Sequence, residues 1–307
     1  NTFNGGYFNV KLKLSNALFL LLMFCASLAQ ADSTYKPYVL ASVAPADVKA
    51  KLEAEGFEVV GEYKPYDGAE VIVVTSEALK TAASGSIRGG YGAVMRVAIS
   101  TKDDGESQQV SYTNPAYWAN GYRMATELSD VAAALEKALG NDGEFGSKKG
   151  LTREKLRKYH YMVGMPYFDK PTELVTYPSH KKAVEEVEAN LKAGKGETTL
   201  VYRVDIPGKN ETVFGMGLKG DHDGADKKAM ATLSGITGDP KHTAYMPYEI
   251  LVYEGKVEGK KEEVGKAEIL HGKFRIALSF PDLSMWNFMK IRNAPDGIEE
   301  AAKAVAK

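Results

Sequence analysis

Along residues 36–140, hydrophobic positions recur at the spacing of short strands in some segments and at the spacing of amphipathic helices in others. Near the start, Val48 and Leu52 recur at helical spacing and Gly56 follows them, which predicts a helix that ends at this glycine. The run after Gly56 is rich in β-branched residues, which favours extended structure. The whole stretch predicts helices over residues 45–55, 76–83 and 129–139, and strands over residues 57–63, 70–75, 93–100 and 108–113.

The C-terminal part of the chain ends on a similar plan. In both parts an apolar strand is followed by a proline and a tryptophan: Pro115 with Trp118, and Pro281 with Trp286. We interpret this likeness as a distant duplication; the alternative is two unrelated α+β domains that each end in a strand and a helix. The elements predicted there are strands over residues 199–206, 250–253 and 273–280, and a helix over residues 298–305.

Between these two stretches, residues 152–161 and 179–191 are predicted to form helices, because each opens with a residue suited to capping. The sequence therefore predicts an α+β fold: two similar open-sheet domains, each with helices packed on one face, joined by a helical segment. The predicted divisions are residues 1–31 for upstream residues and a signal peptide, 32–145 for the first domain, 146–196 for the connecting segment and 197–307 for the second domain.

The succession of these elements resembles a small bacterial family catalogued as domain of unknown function 302. The resemblance is carried by a helix, residues 56–59 (Gly-Phe-Glu-Val), an extended pair, and residues 110–115 (Val-Ser-Tyr-Thr-Asn-Pro) before a terminal helix. It covers residues 36–140 and, more weakly, residues 198–307. Members of that family are compact α+β domains that often pair as dimers, which implies that a tandem copy mimics a dimer within one chain. The resemblance implies a fold but no established activity, and it assigns no catalytic residue.

An apolar run over residues 14–28 follows two lysines near the start of the chain, and Ala29, Gln30 and Ala31 come next. Small side chains at this spacing are what signal peptidase accepts, so the sequence predicts a signal peptide cleaved near Ala31 and a periplasmic or secreted location. The alternative is an uncleaved anchor, although the run is shorter than the roughly 20 residues that span a bilayer. Val10 is the suspected start residue.

The charge balance narrows the choice of partners. Lysine and arginine together number 39 and aspartate and glutamate 40, which gives a net charge of -1. Nucleic-acid surfaces depend on concentrated positive charge, so this balance predicts no nucleic-acid partner. Beyond the leader, no apolar run is long enough to span a bilayer, so the sequence predicts a soluble mature protein without a membrane partner.

Motifs of known catalytic mechanisms are missing from the sequence. It contains no nucleophile elbow and no phosphate-binding loop of the Walker type. This favours a non-catalytic protein that binds an unknown small molecule or a periplasmic protein. Two alternatives stay open: an enzyme whose site lies between the domains and leaves no sequence signature, and a protein that binds a metal or haem.

The metal alternative depends on one histidine and two methionines that lie close together, His160, Met162 and Met165. Imidazole and thioether ligands suit copper(I) or haem iron. The metal alternative therefore predicts copper or haem as the cofactor, whereas the interpretation as a binding protein predicts no cofactor. Methionine also fills irregular gaps in protein cores, and such packing is the competing interpretation of this cluster.

Aromatic residues supply the candidate ligand site. If the two parts are duplicates, the aromatic clusters after Pro115 and Pro281 occupy equivalent places and line a groove between the domains, where small-molecule sites often lie. The competing interpretation is that both clusters pack the terminal helices onto their sheets. The candidate ligand-binding residues are Tyr117, Trp118, Tyr122, Trp286 and Phe288.

Overall fold

Two antiparallel sheets with the same strand order organise the computed structural model, which describes Thr2 and residues 33–256 and 262–307. The α+β class predicted from the sequence is confirmed. In spatial order the first sheet consists of β3 (Glu58–Tyr63), β4 (Ala69–Thr75), β5 (Met95–Thr101), β6 (Gln108–Thr113), β2 (Tyr38–Ala41) and β7 (Glu144–Phe145). The second sheet consists of β10 (Thr198–Asp205), β11 (Glu211–Leu218), β12 (Tyr248–Gly255), β13 (Val264–Ile269) and β9 (Thr172–Tyr177). Strands β1 (Thr34–Tyr35) and β8 (Leu151–Thr152) pair separately.

Helices connect and cover these strands, and local capping defines where several of them begin. Ser76 accepts a hydrogen bond from Leu79 N, and Ser179 accepts one from Lys182 N, as expected for N-cap serines. The α-helices span Val48–Ala54, Glu77–Ser84, Pro115–Gly121, Ser129–Leu139, Arg153–Arg157, His180–Lys192, Asp226–Thr237, Gly272–Ser279, Met285–Phe288 and Ala294–Val305.

The two sheets are built by the same succession of elements. In each, a four-stranded meander is completed by the strand that comes first in the chain, so that β2 lies beside β6 and β9 lies beside β13. A β-bulge interrupts the first hairpin at the same place in both halves, between Val59 and Gly61 in β3 and between Leu200 and Tyr202 in β10. The shared topology and the matched bulge agree with the interpretation of the sequence as a duplication.

The predicted strand over residues 273–280 is wrong, because this segment forms the helix Gly272–Ser279. The strand that pairs with β12 is β13 instead. Phe274, Ile276 and Leu278 alternate as they would in a strand, but the helix is buried on every side, so periodicity does not distinguish the two structures.

The predicted connecting segment, residues 146–196, belongs largely to the second half. It supplies β9, which forms the edge of the second sheet by pairing with β13, and the helix His180–Lys192, which packs on the same sheet. Residues 34–307 form one compact unit, so the division into two domains is not confirmed.

A loop from each half lies on the sheet of the other half. In the turn Gly89–Gly92, the backbone N–H of Gly90 donates to the carboxylate of Glu211 at 2.7 Å. In the topologically equivalent turn of the second half, the hydroxyl of Thr243 accepts a hydrogen bond of 2.7 Å from Ser100. This reciprocal exchange explains why the two halves form one compact unit.

Matched positions of the two halves meet in a buried polar cluster. Arg96 is the second residue of β5 and Glu249 the second residue of β12, and their side chains form an ion pair. Trp118 and Arg275 are the fourth residues of the helices that follow β6 and β13, and the Arg275 guanidinium lies 4.7 Å from the centroid of the Trp118 ring. All four side chains are buried, so an ion pair and a cation–π contact join the halves.

Within residues 33–256 and 262–307, no helix is long and apolar enough to cross a membrane. The predicted leader, its cleavage site near Ala31 and the only cysteine, Cys25, lie outside the described residues.

Candidate functional site

The five aromatic residues of the predicted groove do not lie together in the structure. Tyr117, Trp118 and Tyr122 are buried in the interior, whereas the side chain of Trp286 is 84% exposed. Phe288 is buried as well, stacked on a tyrosine of the loop before β9. Four of the five side chains therefore serve packing, and the fifth, Trp286, is exposed at the surface.

The two tryptophans do not occupy equivalent places. Because residues 273–280 form a helix, the segment of the second half that matches Pro115–Gly121 is Gly272–Ser279. The residue that matches Trp118 is consequently Arg275, and the two contact each other instead of lining a groove.

The histidine–methionine cluster is held by its own backbone. His160 Nδ1 lies 2.8 Å from the carbonyl oxygen of Met162, and Met165 N donates to the same carbonyl at 2.9 Å. The imidazole also packs against Tyr167, with ring centroids 4.5 Å apart. Among the described residues, no three histidine, cysteine, aspartate or glutamate side chains gather to hold a metal ion. Metal binding at this cluster stays a prediction.

A cavity of about 430 Å³ lies where the two halves meet, and we call it the His242 cavity. The first half contributes β7 and the residues around it, while the second half contributes the end of the helix Asp226–Thr237 and two following segments. The cavity is lined by Lys36, Glu144, Phe145, Gly146, Ser147, Lys148, Ile236, Thr237, Asp239, Pro240, His242, Phe280, Asp282, Leu283 and Asn287.

The imidazole of His242 is the distinctive group of this cavity. It stacks on Phe280 with ring centroids 5.0 Å apart and an interplanar angle of 14°, and its centroid lies 5.5 Å from that of Phe145. The side chain is only 7% exposed, and burial lowers the pKa of His242 to about 4. No described residue bonds to Nδ1. At neutral pH the cavity wall therefore carries a neutral imidazole.

The carboxylates in the cavity wall already have partners. Asp282 accepts from Ser147 Oγ at 3.2 Å and from Lys148 N at 2.5 Å, and Glu144 accepts from Lys36 N at 2.8 Å. By contrast, the ammonium groups of Lys36 and Lys148 form no ion pair with any residue that the structure describes. The lining therefore holds two ammonium groups that form no ion pair within the described residues, beside two carboxylates whose hydrogen-bond donors are neutral.

One wall of the cavity is the segment that begins at Phe280, directly after the helix Gly272–Ser279. The matching segment of the first half, directly after the helix Pro115–Gly121, is packed. There Phe168 stacks on Tyr122 with ring centroids 5.8 Å apart, and the Arg123 guanidinium lies 6.0 Å from the centroid of Phe168. Arg157 closes the region by donating to Met124 O at 3.0 Å. The cavity is thus a departure from the shared plan of the two halves.

A second cavity, of about 370 Å³, lies beside the turn Gly89–Gly92. Its polar side chains largely satisfy one another. Arg88 Nε lies 2.7 Å from the carboxylate of Glu268, and Glu211 accepts from Gly90 N. Burial raises the pKa of both carboxyls. Glu268 Oε2, like His242 Nδ1, has no partner among the described residues.

Asp226 is another buried group with a displaced pKa, and it lies outside the lining of both cavities. Its Oδ2 accepts from Tyr63 OH at 3.1 Å and from Leu218 N at 3.0 Å, whereas Oδ1 has no partner among the described residues. Burial raises the pKa of Asp226 to about 7, although both hydrogen bonds favour the charged form. Tyr63 belongs to the first half, so this carboxyl titrates at a contact between the halves.

Comparison with protein-family models, with curated proteins and with solved structures returned no match. The resemblance to the domain of unknown function 302 family stays a prediction. Inference about function rests on the cavity and on the charges around it.

Proposed function

We propose that the protein is a non-catalytic binding protein, exported to the periplasm, that holds a small planar anion in the His242 cavity. The observation that carries the proposal is the cavity of about 430 Å³ between the halves, which the neutral His242 ring lines together with Phe145 and Phe280.

The size and shape of the cavity favour a small molecule with a flat apolar body. Its volume of about 430 Å³ falls within the range of small-molecule sites, roughly 300–1,000 Å³. Phe145 and Phe280 line it beside the imidazole, and Ile236 and Leu283 extend the apolar surface. Aromatic side chains favour ring-bearing ligands because offset or edge-to-face stacking adds to the burial of apolar area.

Two ammonium groups favour an anion. Lys36 and Lys148 form no ion pair within the described chain, and the hydrogen-bonding sites of Glu144 and Asp282 are partly taken by N–H and O–H donors of the protein. A carboxylate or a phosphate on the ligand supplies a counter-ion for the two lysines. An aromatic carboxylate combines both requirements.

A binding role is favoured over catalysis because the cavity wall lacks an activated nucleophile. The pKa of His242, at about 4, makes the imidazole a weak base at neutral pH. The hydroxyls of Ser147 and Thr237 donate to Asp282 and to the carbonyl of Leu233, so neither is bonded to His242. Among the described lining residues, no hydroxyl is hydrogen-bonded to a histidine base.

Calorimetric titration of the purified full chain tests the proposal. The probes are 2-naphthoate, its amide and 2-naphthylmethylamine, which share a ring system and differ in charge. We expect the carboxylate to bind more tightly than either analogue, and Lys148→Ala to weaken its binding about fivefold. Lys149→Ala is the matched control, because this adjacent lysine does not line the cavity. Equal affinity for acid and amide, or no binding of any probe, would contradict the proposal.

The same protein sample tests the metal alternative. We expect no copper and no haem absorption at one equivalent per chain. Stoichiometric copper or a haem band that disappears in His160→Ala would instead establish the cluster of His160, Met162 and Met165 as a site.

A further inference from the structure

Several large apolar side chains are exposed together near the end of the chain. Trp286 is 84% exposed, Met285 45% and Met289 46%, whereas Phe288 and Ile291 in the same segment are buried. The segment thus has one face in the interior and one apolar face in solvent, although monomeric proteins seldom leave contiguous apolar patches at the surface.

Helical geometry places cations beside these apolar residues. Residues four apart lie on the same side of a helix, so Met285 neighbours Met289, and Trp286 neighbours Lys290. Arg292 follows Met289 by three residues and is also exposed. The exposed face therefore combines apolar side chains with positive charge.

A second segment packs against the buried face of this one. The ring of Tyr161 stacks on Phe288 with centroids 5.2 Å apart, and its hydroxyl donates to Leu283 O at 2.6 Å. We call the exposed surface formed by Met285, Trp286 and Met289 the apolar patch.

Acidic residues are missing from the segment that carries the patch. Residues 283–292 contain no aspartate or glutamate, and Lys290 and Arg292 form no ion pair with the part of the chain that the structure describes. Tryptophan favours the boundary between lipid headgroups and acyl chains, and lysine or arginine beside it is attracted to anionic headgroups.

From this combination we propose that the apolar patch seats the protein on the surface of an anionic phospholipid membrane, with Trp286 inserted and Lys290 and Arg292 at the headgroups. A second copy of the chain fits less well, because a two-fold contact would bring the same cations face to face. The proposed contact is binding to the membrane surface. It differs from spanning the membrane, which is what the prediction of no membrane partner concerned. It does not rest on the proposed ligand.

Vesicle flotation and tryptophan fluorescence of the purified full chain test this inference. The vesicles are pure phosphatidylcholine and an equal mixture of phosphatidylcholine with phosphatidylglycerol. We expect flotation with the mixture alone, accompanied by a blue shift of the emission. The shift reports Trp286, because Trp118, the only other tryptophan, is buried.

Three variants locate the contact. Trp286→Ser should abolish the shift and the flotation, and Lys290→Glu should weaken binding about fivefold or more. Lys51→Glu, which reverses an exposed charge on the helix Val48–Ala54, should change neither. Absence of flotation, or equal flotation with both vesicles, would overturn the inference. So would a dimer in sedimentation that Trp286→Ser converts to a monomer, because the patch would then be covered by a second copy.

Discussion

Asp226→Asn should raise the free energy of unfolding above neutral pH and lower it at acidic pH, where the parent carboxyl is protonated. The carboxyl is buried with one unpartnered oxygen, and its pKa is raised from 3.8 to about 7. Since the folded state holds the proton more tightly than the unfolded chain, stability contributed by this group is full below about pH 4. It falls as pH rises to about 7 and is constant above that.

The magnitude follows from the displacement of the pKa. A difference of about three units corresponds to about 4 kcal/mol between the two ends of the titration. Asparagine retains an oxygen for Tyr63 OH and Leu218 N, but its amide group occupies the unpartnered position of Oδ1. An unsatisfied buried amide costs about 1–3 kcal/mol, so the net gain expected above neutrality is about 1–3 kcal/mol.

Urea unfolding of the two proteins at about pH 5 and about pH 8 measures this difference, provided that the dependence on urea is the same for both. Asp221→Asn is the control, because Asp221 is exposed in the turn just before the same helix. The difference between Asp226→Asn and the parent protein should grow with pH, whereas Asp221→Asn should show no such growth. Parallel profiles for all three proteins would show that burial does not raise the pKa of Asp226, and the reasoning would fail.

Three further changes test the contacts that hold the halves together. Glu249→Gln should lower the free energy of unfolding by about 3–5 kcal/mol in urea titrations, because two buried guanidiniums lose their carboxylate; a loss below about 1 kcal/mol would contradict this. Gly90→Ala should cost about 1–3 kcal/mol because a Cβ there would lie 2.5 Å from Leu251, whereas the control Gly85→Ala meets nothing closer than 3.7 Å. His242 has a lowered pKa, so protonation of the unfolded chain removes stability as pH falls from about 6.5 to about 4. His242→Phe should flatten that part of the pH profile, and an unchanged slope would argue against a buried neutral imidazole.

The elements that the sequence predicts well depend on neighbouring residues. Ser76 and Ser179 cap their helices through bonds to residues three positions later, and a motif of this length is visible in the sequence. The helix Gly272–Ser279 was missed because its environment, apolar on all sides, is set by the rest of the fold. The periodicity of apolar residues distinguishes a helix from a strand only when one face of the element is buried and another face is exposed.

The cavity was not predictable in the same way. The cavity is lined by residues from four separate parts of the chain, represented by Lys36, Glu144, His242 and Phe280. These residues come together only when the two sheets pack against each other, so no spacing in the sequence predicts their proximity. Counting from the first residues of the helices that follow β6 and β13 pairs Trp118 with Arg275, but the sequence predicts a strand where the second of these helices lies.

The buried cluster also shows what a single chain permits and a symmetric dimer does not. In a two-fold dimer of identical chains, matched positions carry the same residue, so a contact across the axis sets like against like. Here matched positions carry Arg96 against Glu249 and Trp118 against Arg275, and both contacts are complementary. Two halves within one chain can carry different residues at matched positions. The same freedom accounts for a cavity that is open beside His242 while the corresponding place in the first half is packed.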